Sequence, residues 1–252
     1  MSDVARPFLS VVVPAYNEEN RLGPTLARIQ GYLARQSYTS DILVVNNAST
    51  DRTGEVARAA GRASPAGRAS PAGMKVIDEP RRGKGAAVRT GMLAARGDYV
   101  LFSDADLSTP IEEVEKLIGS VQEGYDIAIA SRGLPGSNIV KHQPWYRELV
   151  GRLGNVLVRM AAVRGIADTQ CGFKLFPREV AQKLFRVARL TGAAFDVEVL
   201  FIAQRHGLKI AEIPVTWIDS PDTRFNRVTD SLDALKDLAR IRVNWLLGRY
   251  RI

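Results

Sequence analysis

Short apolar runs rich in β-branched residues alternate, along the first half of the chain, with longer segments in which apolar residues recur at helical spacing. The short runs are typical of buried strands, and the longer segments are typical of amphipathic helices. The predicted strands are Phe8–Tyr16, Asp41–Thr50, Met74–Asp78, Asp98–Asp106 and Tyr125–Arg132. Strands that alternate with helices favour an α/β fold, in which a mostly parallel sheet is flanked by helices on both faces.

Two aspartates, Asp104 and Asp106, end the fourth predicted strand in the stretch LFSDADLSTP. Ligands of open α/β sheets bind at the carboxyl ends of the strands. In an extended Asp-X-Asp both side chains point the same way, and two carboxylates are hard ligands for Mg²⁺ or Mn²⁺. The alternative is structural, because Asp106 or Ser108 is also a good N-cap for the helix that follows.

Polar side chains or exposed backbone follow the other predicted strands at the same edge, in PAYNEE, VVNNASTDRT and EPRRGKGAAVRTG. In the last of these, Gly83-Lys84-Gly85 opens a helix, which places N–H groups and Lys84 to face a diphosphate. The spacing is not that of a Walker loop, and the Rossmann G-x-G-x-x-G is absent. Both observations argue against nucleotide hydrolysis and dinucleotide redox chemistry.

The charge balance narrows the class of partner. The 252 residues carry a net charge of +8, which favours an anionic partner such as a phosphorylated substrate, an anionic membrane surface or nucleic acid. No window offers about 18 uninterrupted apolar residues, so no spanning helix is expected. The single cysteine, Cys171, predicts a reducing compartment, and with no signal-peptide pattern at the N-terminus we expect a cytoplasmic protein. Cys171 itself is expected to be a small buried residue.

A tandem repeat of the hexamer RASPAG interrupts the pattern within residues 61–73. We interpret it as a duplication in a surface loop, since loops of Gly, Pro, Ser and Ala tolerate insertion. The alternative is a basic tether through Arg62 and Arg68.

Several motifs in order resemble one family. VVVPAYNEENRL, VVNNASTDRT, RRGKGAAVRTG and FSDADLSTP together resemble the inverting nucleotide-sugar glycosyltransferases of family two, which have a GT-A fold. GIADTQCGFKLFPREVAQKLF and FDVEVLFIAQRHGLKIAEIPVTW resemble the dolichyl-phosphate β-glucosyltransferases and their polyprenyl-phosphate relatives. The resemblance covers nearly the whole chain and implies a metal-dependent hexosyltransferase with a DXD motif, which uses Mg²⁺ or Mn²⁺. It implies transfer from a nucleotide sugar, UDP-glucose above all, to a polyprenyl or dolichyl phosphate.

The resemblance also implies roles for individual residues. Asp104 and Asp106 match the metal-binding pair. Asp168 begins the motif that lines the sugar pocket, and Asp196 lies where relatives carry an acidic residue near the acceptor. These four make up the predicted catalytic set. The residues implied in nucleotide-sugar binding are Pro14, Tyr16, Glu18, Asn46, Asn47, Ser49, Asp51, Lys84 and Asp104. Asn46 and Asn47 replace the two aspartates common in the family, but an asparagine oxygen still accepts the uracil N–H.

A lipid-phosphate acceptor would explain the positive charge. Residues 144–165 combine an apolar helical stripe with Arg152 and Arg159 on one flank, and a second amphipathic stretch with a basic tail closes the chain. Such helices lie in membrane interfaces, although an apolar stripe more often packs on the protein's own core. We expect Arg132, Arg152 and Arg159 to bind the acceptor, and the protein to lie peripherally on the cytoplasmic membrane face. The expected domains are residues 1–220, with a nucleotide-sugar half (1–132) and an acceptor half (133–220), and a helical segment, 221–252.

Alternatives stay open at this point. One is a GT-A glycosyltransferase that acts on a soluble or protein-bound hydroxyl, for which Asp196 would be the general base. A remote one is a basic nucleic-acid-binding protein, which lacks the expected basic aromatic motifs. Asp168 also has a bland interpretation as the cap of a turn, and Asp196 and Glu198 as part of a solvated helix face. The sequence leaves the sugar undecided between glucose, mannose, N-acetylglucosamine and uronic acids.

Overall fold

The structure, a computed structural model, describes residues 6–62, 73–140, 163–218 and 227–252, with the backbone alone for residues 227–235. The first half contains β1 (Leu9–Ala15), α1 (Leu22–Leu33), β2 (Ser40–Asn47), α2 (Thr53–Arg62), β3 (Met74–Glu79), α3 (Lys84–Ala94), β4 (Tyr99–Ser103), a 3₁₀ turn (Ile111–Glu113), α4 (Val114–Gln122) and β5 (Ile127–Ser131). The second half contains β6 (Asn138–Ile139), β7 (Phe173–Pro177), α5 (Arg178–Val187), α6 (Phe195–Arg205), β8 (Ile210–Pro214), β9 (Thr216–Trp217) and α7 (Arg227–Leu246).

Among these residues, seven strands form one sheet in the order β3-β2-β1-β4-β7-β5-β8. The pairs β1–β2, β1–β4, β2–β3 and β5–β8 are parallel. The five strands predicted from the sequence are all present, with bounds that shift by a few residues. The expected α/β class with a mostly parallel sheet is therefore confirmed.

Strand β7 departs from the expectation, because the sequence pattern did not predict it. It lies between β4 and β5 and runs antiparallel to both. Its residue Lys174 stands opposite Phe102 of β4. The insertion brings the second-half motif DTQCGFK to the same edge of the sheet as the Asp-X-Asp motif, so the two halves of the chain share one sheet.

The core lies on both faces of the sheet. Along β1, Val12 packs on one face with the helices α3, α5, α6 and α7, and its neighbours Val11 and Val13 pack on the other with α1 and α4. Successive strand residues point to opposite faces, so a strand buried on both sides reads as a continuous apolar run. This burial explains why β1 is entirely apolar except for Ser10.

Several predictions concern segments that the structure describes only in part. The RASPAG repeat, apart from Arg62 and Gly73, and nearly all of the basic amphipathic segment 144–165 lie outside the described residues. In α7, Leu238 and Ile241 are buried in the core, as the packing alternative predicted, whereas Leu246 is 83% exposed. Of the helices that the structure describes, none is long and apolar enough to cross a membrane.

Candidate active site

A cavity of about 500 Å³ opens at the carboxyl ends of β1, β2 and β4. Four loops that follow strands of the sheet supply its lining, which consists of Pro14, Ala15, Tyr16, Glu18, Arg21, Asn47, Arg82, Gly83, Lys84, Ala87, Asp104, Ala105 and Asp106. Seven of the predicted site residues are in this set. Parallel strands place their carboxyl ends at one edge, and the sheet therefore gathers residues that are far apart in sequence.

Asp104 and Asp106 share the floor of the cavity, although the expected extended geometry is wrong. Strand β4 ends at Ser103, and the chain then turns, with a positive φ of 50° at Leu107. The Asp104 N–H donates to the carbonyl of Gly172 at 2.9 Å, and Asp106 Oδ1 accepts the N–H of Ser108 at 3.0 Å. Burial raises the pKa of Asp106, and the neighbouring charge of Asp104 raises it further. A cation close to both carboxylates would favour their charged forms and so lower the pKa of Asp106.

Lys84, the first residue of α3, provides such a charge. Its Nζ lies 2.6 Å from Asp104 Oδ1 and 5.3 Å from the centre of the Phe102 ring. Burial lowers the pKa of Lys84, but the carboxylates of Asp104 and Asp196 outweigh that effect and raise it above its usual value. The turn before Lys84 needs glycine, because Gly83 has a φ of +122° and a β-carbon there would lie 2.2 Å from the carbonyl oxygen of Thr191.

The loops after β1 and β2 interlock. Ser49 Oγ accepts the N–H of Asn17 at 3.1 Å, and Asp51 Oδ2 accepts the N–H of Glu19 at 3.2 Å. These bonds hold in place the loop that carries Tyr16, whose side chain is 40% exposed at the cavity. Ser49 and Asp51 are not part of the cavity lining themselves. The structure gives them a supporting position, and their direct contact with a nucleotide stays a prediction.

The two asparagines at the end of β2 have different surroundings. Asn47 is buried, accepts the N–H of Gly83 at 2.9 Å and donates to the carbonyl of Arg81 at 2.6 Å, so it fixes the loop before Lys84. Asn46 donates to Asp78 Oδ1 at 2.8 Å, while its own Oδ1 is buried and accepts no hydrogen bond from the described residues. Asn46 does not belong to the cavity lining, so its direct contact with a nucleotide stays a prediction.

Asp168 and Arg132 bind each other. The Arg132 side chain donates to both oxygens of Asp168, at 2.6 Å and 2.9 Å, and stacks on the ring of Trp217. Burial would raise the pKa of Asp168, but these hydrogen bonds outweigh it and hold the pKa below its usual value. Neither residue belongs to the cavity lining, so the sugar-pocket and acceptor roles stay predictions. The other two predicted acceptor residues, Arg152 and Arg159, lie outside the described residues.

Asp196 and Glu198 lie in the interior, so the solvated-face interpretation is wrong. Asp196 Oδ1 is 2.6 Å from the ammonium of Lys174, and both side chains are buried. Glu198 accepts the N–H groups of Arg189 and Leu190 and the hydroxyl of Tyr250. Sequence reasoning missed Lys174, although one signal was available. In GFKLF a lysine occupies a central position in an otherwise apolar strand, which demands a buried partner.

Cys171 is buried as predicted. Its Sγ lies 3.6 Å from Thr109 Oγ1, and burial raises the pKa of the thiol to about 11. The thiol is therefore protonated near neutral pH, which fits a packing role and not that of a nucleophile.

Comparisons with known proteins agree with this geometry. The profile of the family described as "Glycosyl transferase family 2" matches residues 10–185. The Drosophila melanogaster protein named dolichyl-phosphate beta-glucosyltransferase is 36% identical over 255 residues, which span 97% of this chain and 77% of that protein. The Homo sapiens protein of the same name is 35% identical over 256 residues, with coverage of 97% and 78%.

Solved structures share the fold at lower identity. Glucosyl-3-phosphoglycerate synthase from Mycobacterium tuberculosis, in complex with Mn²⁺, UDP and glucosyl-3-phosphoglycerate, superposes with a TM-score of 0.63 at 23% identity, over 96% of this chain and 80% of that one. Mannosyl-3-phosphoglycerate synthase from Rubrobacter xylanophilus superposes with a TM-score of 0.68 at 20% identity, over 98% and 76%. At these identities the likeness concerns the fold, and it confirms the expected GT-A architecture.

Proposed function

This chain belongs to glycosyltransferase family 2, and we propose that it transfers glucose from UDP-glucose to a dolichyl or other polyprenyl phosphate, with inversion at the anomeric carbon. The observation that carries the proposal is the convergence of Asp104, Asp106 and Lys84 on one cavity at the strand ends. Relatives at 33–36% identity, aligned over nearly the whole chain, are named dolichyl-phosphate beta-glucosyltransferase, and this supports the choice of donor sugar and acceptor.

We propose that the donor base binds at the β1 side of the cavity. Tyr16 offers a half-exposed aromatic ring for stacking, at a position held by the interlocked loops. Asn47, at the end of β2, also lines the cavity. We propose uracil as the donor base, since an asparagine oxygen, like the aspartates that it replaces, can accept the imide N–H of uracil.

We propose that the donor diphosphate binds between Lys84 and the aspartate pair. In the part of the chain that the structure describes, no cluster of three or more His, Cys, Asp or Glu side chains could hold a metal ion by itself. Asp104 and Asp106 still fit Mg²⁺ or Mn²⁺, because such ions are often bound by one or two carboxylates together with substrate phosphates and water. When bound, a divalent ion would neutralise the charge that develops on the departing diphosphate.

The acceptor requires no general base if it is a phosphate, which is already anionic at neutral pH. Asp196 is then not needed as a general base, which agrees with the burial of its carboxylate in an ion pair with Lys174. The small ribbon of β6 and β9 lies beside the Asp-X-Asp loop, since the N–H of Ile218 donates to the Ser108 carbonyl at 2.8 Å. The basic amphipathic segment with Arg152 and Arg159 follows this ribbon in the sequence and lies outside the described residues. We propose that this segment binds a membrane surface, on the cytoplasmic face of the membrane.

An acceptor competition tests the proposal. The full-length protein is given labelled UDP-glucose, Mn²⁺ and a detergent-dispersed polyprenyl phosphate together with 3-phosphoglycerate. We expect label in the lipid fraction. No label should appear there when labelled GDP-mannose replaces labelled UDP-glucose. Label in the aqueous phosphoglycerate product alone would contradict the lipid acceptor and favour a soluble hydroxyl acceptor.

A further inference from the structure

The contact between Lys84 and Asp104 has the geometry of an ion pair inside a binding cavity. The ammonium is 2.6 Å from the carboxylate, and the two side chains remain 36% and 30% exposed. Both residues line the cavity. The lysine therefore occupies, on Asp104, a position that a metal cation would also need.

Asp104 and Asp106 both act on the ammonium of Lys84, which forms an ion pair with Asp104. Asp104, Asp106 and Asp196 act on Lys84 from around its ammonium. Lys174 is committed to Asp196, at 2.6 Å, in a pair with almost no exposure. Of these two lysines, Lys174 is therefore bound to Asp196 in the interior, and Lys84 is bound to Asp104 in the cavity. The charge of Lys84 is shared between carboxylates that a divalent cation would bind more strongly.

Hydrogen bonds to other segments hold the backbone on both sides of Lys84. The N–H of Gly83 is held by Asn47 Oδ1 at 2.9 Å, and the N–H of Ala86 donates to the Thr191 carbonyl at 3.3 Å. The flexible four-carbon stem of lysine nevertheless lets its ammonium choose between nearby anions. A diphosphate in the cavity would be such an anion.

We infer that Lys84 competes with the divalent cation for Asp104, and that the donor diphosphate ends the competition by drawing the Lys84 ammonium to itself. The inference rests on the proposed function and adds an order of binding to it. Metal binds weakly to the free protein and strongly with the nucleotide, because the lysine then neutralises phosphate instead of Asp104. Metal and donor load together, and an unproductive metal-only state is disfavoured.

The test is Mn²⁺ binding to the full chain, measured from the electron paramagnetic resonance signal of free Mn²⁺, with and without UDP. Without UDP, we expect Lys84→Met to bind Mn²⁺ about tenfold more tightly than the wild type, because a cation beside the site is removed. With UDP, Lys84→Met should no longer bind Mn²⁺ more tightly than the wild type, because the diphosphate of UDP has lost the Lys84 ammonium as its partner. Lys75→Met, which removes an exposed lysine of β3, is the matched control and should behave as the wild type.

A second comparison, made in the Asp104→Asn protein, means that the test does not depend on the folding of one variant. In Asp104→Asn, the change Lys84→Met should leave Mn²⁺ affinity unaltered, because the contested carboxylate is gone. Equal or weaker Mn²⁺ binding by Lys84→Met without UDP would overturn the inference, while Mn²⁺-dependent transfer by the wild type would leave the proposed function intact. A wild type that binds no Mn²⁺ even with UDP would overturn both.

Discussion

The carboxylate of Asp104 lies directly against the α-carbon of Gly172. The two residues also share a hydrogen bond, from the Asp104 N–H to the Gly172 carbonyl, of 2.9 Å. A β-carbon on Gly172 would come within 1.9 Å of Asp104 Oδ2. The glycine of the second-half motif CGFK therefore makes room for the aspartate of the first-half motif.

Gly172→Ala should consequently displace Asp104. We expect transfer to fall by about 100-fold, as small displacements of catalytic groups commonly cause. Gly119→Ala is the matched control, because a β-carbon there would meet no atom within 4 Å. Initial rates of both variants at saturating donor, with circular dichroism to verify folding, decide the matter. Wild-type rates in Gly172→Ala would show that the position of Asp104 is not critical.

The buried pair of Lys174 and Asp196 should matter greatly to stability. Lys174→Met leaves Asp196 without its partner in the interior, and we expect the free energy of unfolding to fall by about 3–5 kcal/mol. Lys183→Met, which alters an exposed lysine of α5, should change it little. Urea denaturation of the two variants provides the measurement.

A double variant separates the cost of an unpaired charge from loss of packing. Lys174→Met with Asp196→Leu replaces the whole pair by apolar groups, which is often neutral or stabilising. We expect the double variant to recover most of the stability lost in Lys174→Met. If it proves less stable than the single variant, the pair contributes through packing and hydrogen bonds instead of through charge balance.

Glu79 should make stability depend on pH in the acid range. It accepts hydrogen bonds from the backbone and side chain of Arg81 and from Thr90, and chiefly the Arg81 side chain lowers its pKa from 4.5 to about 2. The carboxylate therefore stabilises the fold fully above pH 4.5, and this contribution is lost as the pH falls from 4.5 towards 2.

Glu79→Gln tests that dependence. We expect it to be less stable than the wild type at neutral pH, and the difference to shrink as the pH falls through the range between 4.5 and 2. Glu123→Gln, at an exposed position, should follow the wild-type profile. Urea denaturation at a series of pH values is the measurement. A constant difference between Glu79→Gln and the wild type would mean that the charge of Glu79 is immaterial.

The sequence predicted the parts of the site that depend on local pattern. The strands β1 to β5 are short apolar runs, and the cavity lies where parallel strands must end. Strand β7 was missed because its pairing with β4 is a contact distant in sequence, and because its five residues are too few to show a clear period. The pairs Arg132–Asp168 and Lys174–Asp196 depend on that strand placement, which no local pattern encodes.

The role of the Asp-X-Asp pair is tested most directly by glucosyl-lipid formation in Asp106→Asn. The substitution removes a charge from the cavity and leaves the volume of the side chain nearly unchanged. We expect transfer from UDP-glucose to polyprenyl phosphate to fall about 100-fold or more, since several kcal/mol of charge stabilisation is lost. Asp98→Asn, which changes an exposed aspartate before β4, should retain wild-type activity. Excess EDTA should abolish transfer by the wild type and by Asp98→Asn. Transfer by Asp106→Asn at the wild-type rate, or transfer that persists in EDTA, would contradict the proposed metal-dependent site.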